Sequence, residues 1–184
     1  MRIIAGQAGS LRLSVPPSLT RPTTDRVREA VFSSLGTKVE ESRVLDLFAG
    51  SGSLGIESLS RGAASAVFVD NNAAAEKAIL ANLRQSRLEG ARFVRRDVIS
   101  YLSSAPTDTF DLIFADPPYA RDEETGELLA TLLQKESLSA SLKPDGILVL
   151  ESFAKSPLPE APLWETVKEK VYGKTRVSYL TPTV

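Results

Sequence analysis

The chain of 184 residues contains no cysteine and no histidine. Without cysteine, disulfides, thiolate nucleophiles and cysteine-ligated zinc sites are excluded. Without histidine, the most common general base and metal ligand of proteins is missing. Any chemistry must therefore use carboxylates, amines, hydroxyls and the backbone, and no metal is expected.

The chain also lacks long apolar runs and a strong charge of one sign. It has no stretch of about 18 apolar residues that could span a membrane, and the opening MRIIAGQAGS lacks the apolar region of a secretion signal. The formal net charge of −1 argues against bulk electrostatic attraction to nucleic acid. We therefore expect a soluble, cytoplasmic protein without a membrane partner.

Short apolar runs alternate with helical patterns from residue 43 onward. Strand–helix alternation of this kind predicts βαβ units and a parallel sheet covered on both faces. The length of 184 residues is most simply one domain. Strands are predicted at 43–48, 66–70, 91–96, 110–116 and 146–152, and helices over 53–61, 72–86 and 126–141, with a short helix after the third strand.

The two ends of the chain depart from this alternation. The runs WETVKEKVY and TRVSYLT are joined by Gly-Lys, which predicts an antiparallel hairpin at the sheet edge. At the amino end, RIIAG and LRLSVP predict a small β-hairpin, followed by a helix with Thr23 or Thr24 as its N-cap. Residues 1–42 are thus an extension of a core formed by 43–184.

Three glycines follow the first predicted strand. Gly50, Gly52 and Gly55 have the spacing G-x-G-x-x-G, and Asp70 follows Gly50 after 70 − 50 = 20 positions, as in dinucleotide-binding loops. Such glycines let the backbone approach a ligand closely at a helix N-terminus. The loop alone also fits other nucleosides or a plain strand-to-helix turn, so an NAD-dependent oxidoreductase stays open at this point.

Two further features favour another ligand. Asp46 lies inside the first strand, where its carboxylate can reach through the loop toward an ammonium group. DPPY, residues 116–119, ends the fourth strand. Ligands of open α/β sheets bind outside the strand ends where strand order reverses, so the glycine loop and DPPY should meet there.

Taken together, DLFAGSG (46–52), Asp70, RRD (95–97) and DPPY resemble the class I S-adenosylmethionine-dependent methyltransferases of exocyclic nucleobase amines. The head RIIAG…RPTTDRVREAVF with VLDLFAGSGSLGIESLSRGA is similar to the RsmD-type guanine-N2 methyltransferases of bacterial 16S ribosomal RNA. The resemblance implies a Rossmann-like sheet, S-adenosylmethionine as cofactor, and 16S RNA as substrate of a monomer, within the 30S subunit or an assembly intermediate. An adenine-N6 methyltransferase of RNA or DNA is the alternative, and a catalytically silent RNA-binding fold is a third reading.

The resemblance assigns the catalytic role to DPPY. Asp116 and the carbonyl of Pro117 would each accept one N–H of the target amine, which turns its lone pair toward the methyl group. Pro117 and Pro118 fix φ and remove two backbone donors, so the loop is rigid. Tyr119 would stack on the base.

The resemblance also implies the binding residues. Asp70 would accept the ribose hydroxyls, Asp97 would meet the adenine amine, and Val98 would pack on the adenine ring. Residues 1–35 contain five arginines against Asp25 and Glu29, a local charge balance of +3. Of these arginines, Arg12, Arg21 and Arg26 are expected to contact RNA phosphates. The full set of expected cofactor-binding residues is Asp46, Phe48, Ala49, Gly50, Ser51, Gly52, Asp70, Asn71, Asp97, Val98 and Asp116.

Overall fold

A computed structural model describes residues 1–15, 24–117 and 123–183, with only the backbone of 123–125. A 3-10 helix, Gly36–Val39, leads from the first helix into the first strand. The helices are α1 (Asp25–Leu35), α2 (Ser53–Ser60), α3 (Ala73–Ser86), α4 (Val98–Leu102), α5 (Glu123–Leu133) and α6 (Glu136–Ser141). The strands are β1 (Arg43–Leu47), β2 (Ser65–Asp70), β3 (Ala91–Arg95), β4 (Phe110–Ala115), β5 (Leu142–Phe153), β6 (Trp164–Tyr172) and β7 (Thr175–Pro182).

The seven strands form one sheet in the order β3-β2-β1-β4-β5-β7-β6. Strands β1 to β5 pair in parallel, whereas β7 runs antiparallel to both β5 and β6. The predicted α/β class and the antiparallel hairpin are confirmed. Strand order reverses between β1 and β4, so a binding crevice is expected at their carboxyl ends.

Two apolar layers cover the sheet, one on each face. Helices α1, α2 and α3 contribute side chains such as Phe32, Ile56 and Ile79 to one layer. Helices α4, α5 and α6 contribute Leu102, Leu132 and Leu138 to the other. The central strands are buried on both faces, which explains why they appear in the sequence as continuous apolar runs. Within the described ranges, no helix is long and apolar enough to cross a membrane.

The predicted amino-terminal β-hairpin is wrong. Its two segments are joined by one isolated antiparallel bridge, between Arg2 and Arg12, and by a few backbone hydrogen bonds such as Ile3 N–H to the Leu11 carbonyl at 2.9 Å, but they form no regular strands. The next backbone groups bond to α2: the N–H groups of Ile4 and Ala5 donate to the buried Glu57 carboxylate at 2.7 and 3.1 Å. The pairing therefore stops after one bridge, because the backbone beyond it binds a side chain of α2.

The single helix predicted over 126–141 is also wrong, because α5 and α6 are separate. The indole N–H of Trp164 in β6 donates to the carbonyl of Leu133 at 2.8 Å, at the last residue of α5. The chain then turns at Lys135, so that Leu138 of α6 enters the apolar layer. By contrast, α1 begins as predicted after Thr24, whose hydroxyl accepts the Val27 N–H at 3.4 Å.

Candidate active site

The glycine loop joins β1 to α2 at the carboxyl edge of the sheet. Gly50 and Gly52 have φ values of +56° and +77°, where glycine is favoured, and Phe48 shares this conformation at +56°. Gly55 is needed for a different reason: a Cβ there would lie 2.3 Å from the Phe68 ring. In the predicted G-x-G-x-x-G spacing, the first two glycines therefore allow the left-handed backbone of the loop, and the third allows α2 to pack closely on β2.

Asp70 ends β2 and holds the loop. Its Oδ2 accepts the Gly50 N–H at 2.8 Å, and its Oδ1 accepts the Asn72 N–H at 2.9 Å. The carboxylate is half-buried and has further lone pairs, since each oxygen accepts two hydrogen bonds. The carboxylate of Asp70 therefore faces the glycine loop, which is the position that a ligand-binding carboxylate at this loop requires.

Asp46 lies beneath the loop and is buried. Its Oδ2 accepts the Gly55 N–H at 2.9 Å. Burial raises the pKa of Asp46 well above its usual range, and the charges of Asp116 and Asp70 raise it further, while the Gly55 hydrogen bond opposes the shift. The charges of Asp70 and Asp116, at the ends of the two strands next to β1, therefore act on Asp46 at this edge of the sheet.

We expect Asp46→Asn to be more stable than the wild type at pH 8, by at least about 1 kcal/mol, or about 2–4 °C in Tm. A raised folded-state pKa means that the native state binds more protons than the unfolded chain. Stability is therefore lost as pH rises from near 3.8 through the folded-state pKa. Asparagine retains an acceptor for Gly55 without the charge, so the gain should shrink on acidification to pH 4.

Thermal unfolding of wild type and Asp46→Asn between pH 4 and pH 8 measures this effect. Asp145→Asn, which removes an exposed carboxylate, is the matched control and should show no such pH-dependent gain. Equal pH profiles for Asp46→Asn and wild type would contradict the raised pKa.

Asp116 meets the loop across the point where strand order reverses. Leu47 of β1 is in register with Ala115 of β4, so the next residues, Phe48 and Asp116, are neighbours at the carboxyl edge. Asp116 is half-buried and Pro117 is buried. The structure thus brings the first half of DPPY to the glycine loop, whereas Pro118 and Tyr119 lie outside the described residues.

The predicted adenine-binding residues follow β2 and β3. Asp97 is exposed and caps α4, because its Oδ1 accepts the Ser100 N–H at 2.8 Å. Val98 is buried in the second apolar layer, and Asn71 is exposed next to Asp70. Since β2 and β3 are parallel neighbours, these residues share the edge that carries the loop.

Of the predicted RNA-binding arginines, Arg12 lies on the head segment, residues 1–15, and Arg26 on α1, and both are exposed. Arg21 lies outside the described residues. Arg2, opposite Arg12 in the bridge, has its Nε 3.6 Å from Asp25 Oδ2, next to Arg26. Arg28 differs: it is buried and its Nη2 donates to Asp25 Oδ1 at 2.9 Å and to the Arg2 carbonyl.

Two buried polar residues escape prediction from the sequence. Glu57 on α2 holds the head segment and also accepts from Arg61 Nε at 2.6 Å. Asn82 on α3 contacts both the head and the glycine loop. The signal for both is a polar residue on an otherwise apolar helix face, which predicts a buried hydrogen-bond partner but not which one.

Comparisons with known proteins agree with this geometry. The family described as Conserved hypothetical protein 95 matches residues 1–181. Ribosomal RNA small subunit methyltransferase D of Escherichia coli K12 is 37% identical over 178 residues, which cover 95% of this chain and 86% of that protein. The enzyme of the same name from Haemophilus influenzae is 33% identical over 177 residues, covering 94% and 89%. Among solved structures, a putative methyltransferase of Escherichia coli has a TM-score of 0.83 at 33% identity, covering 99% of this chain and 97% of that one.

Proposed function

Because the chain belongs to the Conserved hypothetical protein 95 family, that of the RsmD-type ribosomal RNA methyltransferases, we propose that it methylates the exocyclic N2 amine of a guanine in 16S RNA. The chain is an S-adenosylmethionine-dependent methyltransferase, and the proposal concerns the atom that it methylates. The observation that carries the proposal is the meeting of the glycine loop with Asp116 across β1 and β4. We further propose that residues 1–184 act as one catalytic domain, since the head is bonded to α2.

The residues at the site fit S-adenosylmethionine. The pKa of Asp46 is raised in part by Asp116 and Asp70, which means that a positive charge bound at this edge would relieve their mutual repulsion. S-adenosylmethionine carries two such charges, on its sulfonium and its ammonium group. Asp70 and the Gly50–Gly52 loop would hold the ribose and the amino-acid portion, and Asp97 the adenine.

When bound, this cofactor supplies an electrophilic methyl group, so the protein has to present the nucleophile. The lone pair of the guanine N2 amine is delocalised into the ring, which makes it a poor nucleophile. Asp116 and the Pro117 carbonyl accept its two N–H bonds and hold both hydrogens to one side, so that the lone pair faces the methyl group. The DPPY motif assigns Tyr119 the role of stacking on the base, which would keep the base plane fixed.

The cofactor assignment is tested by calorimetry with S-adenosylhomocysteine, the demethylated product. We expect binding to the wild type and none with NAD. Asp70→Ala should weaken this binding by about 1–3 kcal/mol, because ribose hydrogen bonds and the Gly50 contact are both lost. The matched control is Glu76→Gln on α3, whose carboxylate pairs with Arg95 at 3.4 Å. Binding of NAD in place of S-adenosylhomocysteine would refute the proposal.

The target assignment is tested by digesting RNA methylated by the enzyme and identifying the product nucleoside by mass spectrometry. N2-methylguanosine is the expected product. N6-methyladenosine would instead establish the alternative reaction on adenine, and the cofactor result would stand in either case.

A further inference from the structure

Asn82 is a polar residue in the buried face of α3 and is fully inaccessible to solvent. Its Nδ2 donates to the carbonyl of Ser51 at 3.1 Å and to the carbonyl of Ser14 at 3.0 Å. Its Oδ1 accepts the N–H of Ser14 at 2.8 Å. All three hydrogen bonds go to backbone, and the two carbonyls and one N–H fix the orientation of the amide.

The two partners of Asn82 belong to different parts of the proposed site. Ser51 lies between Gly50 and Gly52 in the glycine loop, which has the conformation described above. Ser14 lies two residues after Arg12, on the head segment that carries the predicted RNA contacts. One buried side chain therefore bonds the loop expected to bind the cofactor to the segment expected to bind RNA.

We propose that Asn82 is a positioning residue that couples cofactor binding at the loop to RNA binding by the head. The proposal rests on the proposed function for the identity of both ligands. A cofactor that orders the Ser51 carbonyl also orders the Asn82 amide, and this amide holds both backbone groups of Ser14. By linkage, RNA that orders the head strengthens cofactor binding by the same factor.

Asn82→Asp is the sharpest variant, because it retains the size and the acceptor for the Ser14 N–H. In this variant an ionised carboxylate has no donor and a protonated one has a single donor, so at least one of the carbonyls of Ser14 and Ser51 is left unpaired. We expect the affinity for S-adenosylhomocysteine to fall about tenfold, the effect of leaving a buried carbonyl unpaired. The matched control is Ala81→Gly, which weakens the same helix at the neighbouring residue without removing a side-chain hydrogen bond.

The decisive readout is coupling, which a purely structural role would not change. In the wild type, S-adenosylhomocysteine should slow amide hydrogen exchange in a peptide spanning residues 1–15. The dissociation constant of S-adenosylhomocysteine should fall by at least about fivefold when 30S subunits are added, the lower end of usual allosteric couplings. Asn82→Asp should abolish both effects, while Ala81→Gly retains them.

A second pair of variants tests the link from the head. Ser14→Pro removes the N–H that Asn82 Oδ1 accepts and leaves α3 and the loop unaltered, whereas Ser14→Ala retains that N–H. In Ser14→Pro, adding 30S subunits should no longer change the dissociation constant of S-adenosylhomocysteine. In Ser14→Ala, it should lower this constant as much as in the wild type. This pair gives an answer even if Asn82→Asp does not fold.

The possible outcomes separate the inference from the function. If S-adenosylhomocysteine does not bind the wild type, the proposed function fails. If it binds but the exchange of residues 1–15 is unchanged, or if either Asn82→Asp or Ser14→Pro folds and retains wild-type coupling, the inference is overturned and Asn82 is only a buried structural amide.

Discussion

Replacing Asp116 with alanine or asparagine is expected to lower methyl transfer by about 10²–10³-fold, the usual cost of removing one group that stabilises a transition state. The affinity for S-adenosylhomocysteine should fall much less, because Asp70 and the glycine loop still hold it. Turnover is therefore expected to be lost far out of proportion to cofactor binding. Single-turnover methyl transfer to RNA, alongside calorimetry with S-adenosylhomocysteine, measures the two effects separately.

The reason lies in what the carboxylate does to the amine. Only a strong acceptor at this position withdraws an N–H of the target amine and frees its lone pair for attack. Asparagine at 116 has one weak acceptor and presents N–H groups that repel those of the amine. Asp116 approaches the loop from the neighbouring strand, whereas the Gly50 N–H is held at 2.8 Å by Asp70, at the end of β2.

Asp111→Asn is the matched control for this experiment. Asp111 is on the same strand, near its amino end, where its Oδ2 accepts the Arg43 N–H at 2.8 Å and its Oδ1 lies 2.6 Å from Lys143 Nζ. Turnover per folded molecule should match the wild type. If Asp116→Ala methylates RNA at the wild-type rate, Asp116 is not the group that orients the amine.

Local signals account for how well the sheet and the loop could be predicted. Buried parallel strands appear as apolar runs, and the φ values of Gly50 and Gly52 need glycine at those positions. The prediction that the glycine loop meets the start of DPPY at Asp116 required only the rule that ligands bind where strand order reverses. The ribosomal RNA target, in contrast, came from the resemblance alone, since no single residue specifies it.

Non-local contacts account for what could not be predicted. The head segment bonds to Glu57 across 53 residues of sequence. Nothing in the residues of the head segment itself indicates this contact, so the sequence predicted a regular hairpin there. The break after α5 involves Trp164, 31 residues beyond Leu133. Asn82 lies on the buried face of α3, and its partners are backbone groups of Ser14 and Ser51, which no residue type in the sequence reveals.

Assembled 30S subunits or assembly intermediates are expected to be methylated about 100-fold faster than protein-free 16S RNA. The chain has a formal net charge of −1, whereas residues 1–35 carry a local balance of +3, so electrostatic attraction to RNA is expected mainly there. Extracting a base from its stack costs a few kcal/mol. A pre-formed site that already exposes the base removes about 3 kcal/mol of that cost, which is roughly a factor of 100.

The arginines should matter through phosphates rather than through bases. Arg12 is exposed and lies two residues before Ser14, which Asn82 bonds to the glycine loop. Arg26 is exposed in the first turn of α1. Each of Arg12→Ala, Arg21→Ala and Arg26→Ala should therefore raise KM for the subunit and reduce the salt slope of binding by about 0.7–0.9.

Methyl-transfer assays on protein-free 16S RNA, assembly intermediates and mature 30S subunits, at several salt concentrations, test both expectations. Arg43→Ala is the matched control, since this exposed arginine is the first residue of β1, at the amino edge of the sheet and opposite the glycine loop. It should leave KM and the salt slope unchanged. Equal rates on all three substrates would mean that the enzyme extracts its base unaided. If the three arginine variants leave the salt slope of binding unchanged, RNA must contact another surface of the protein.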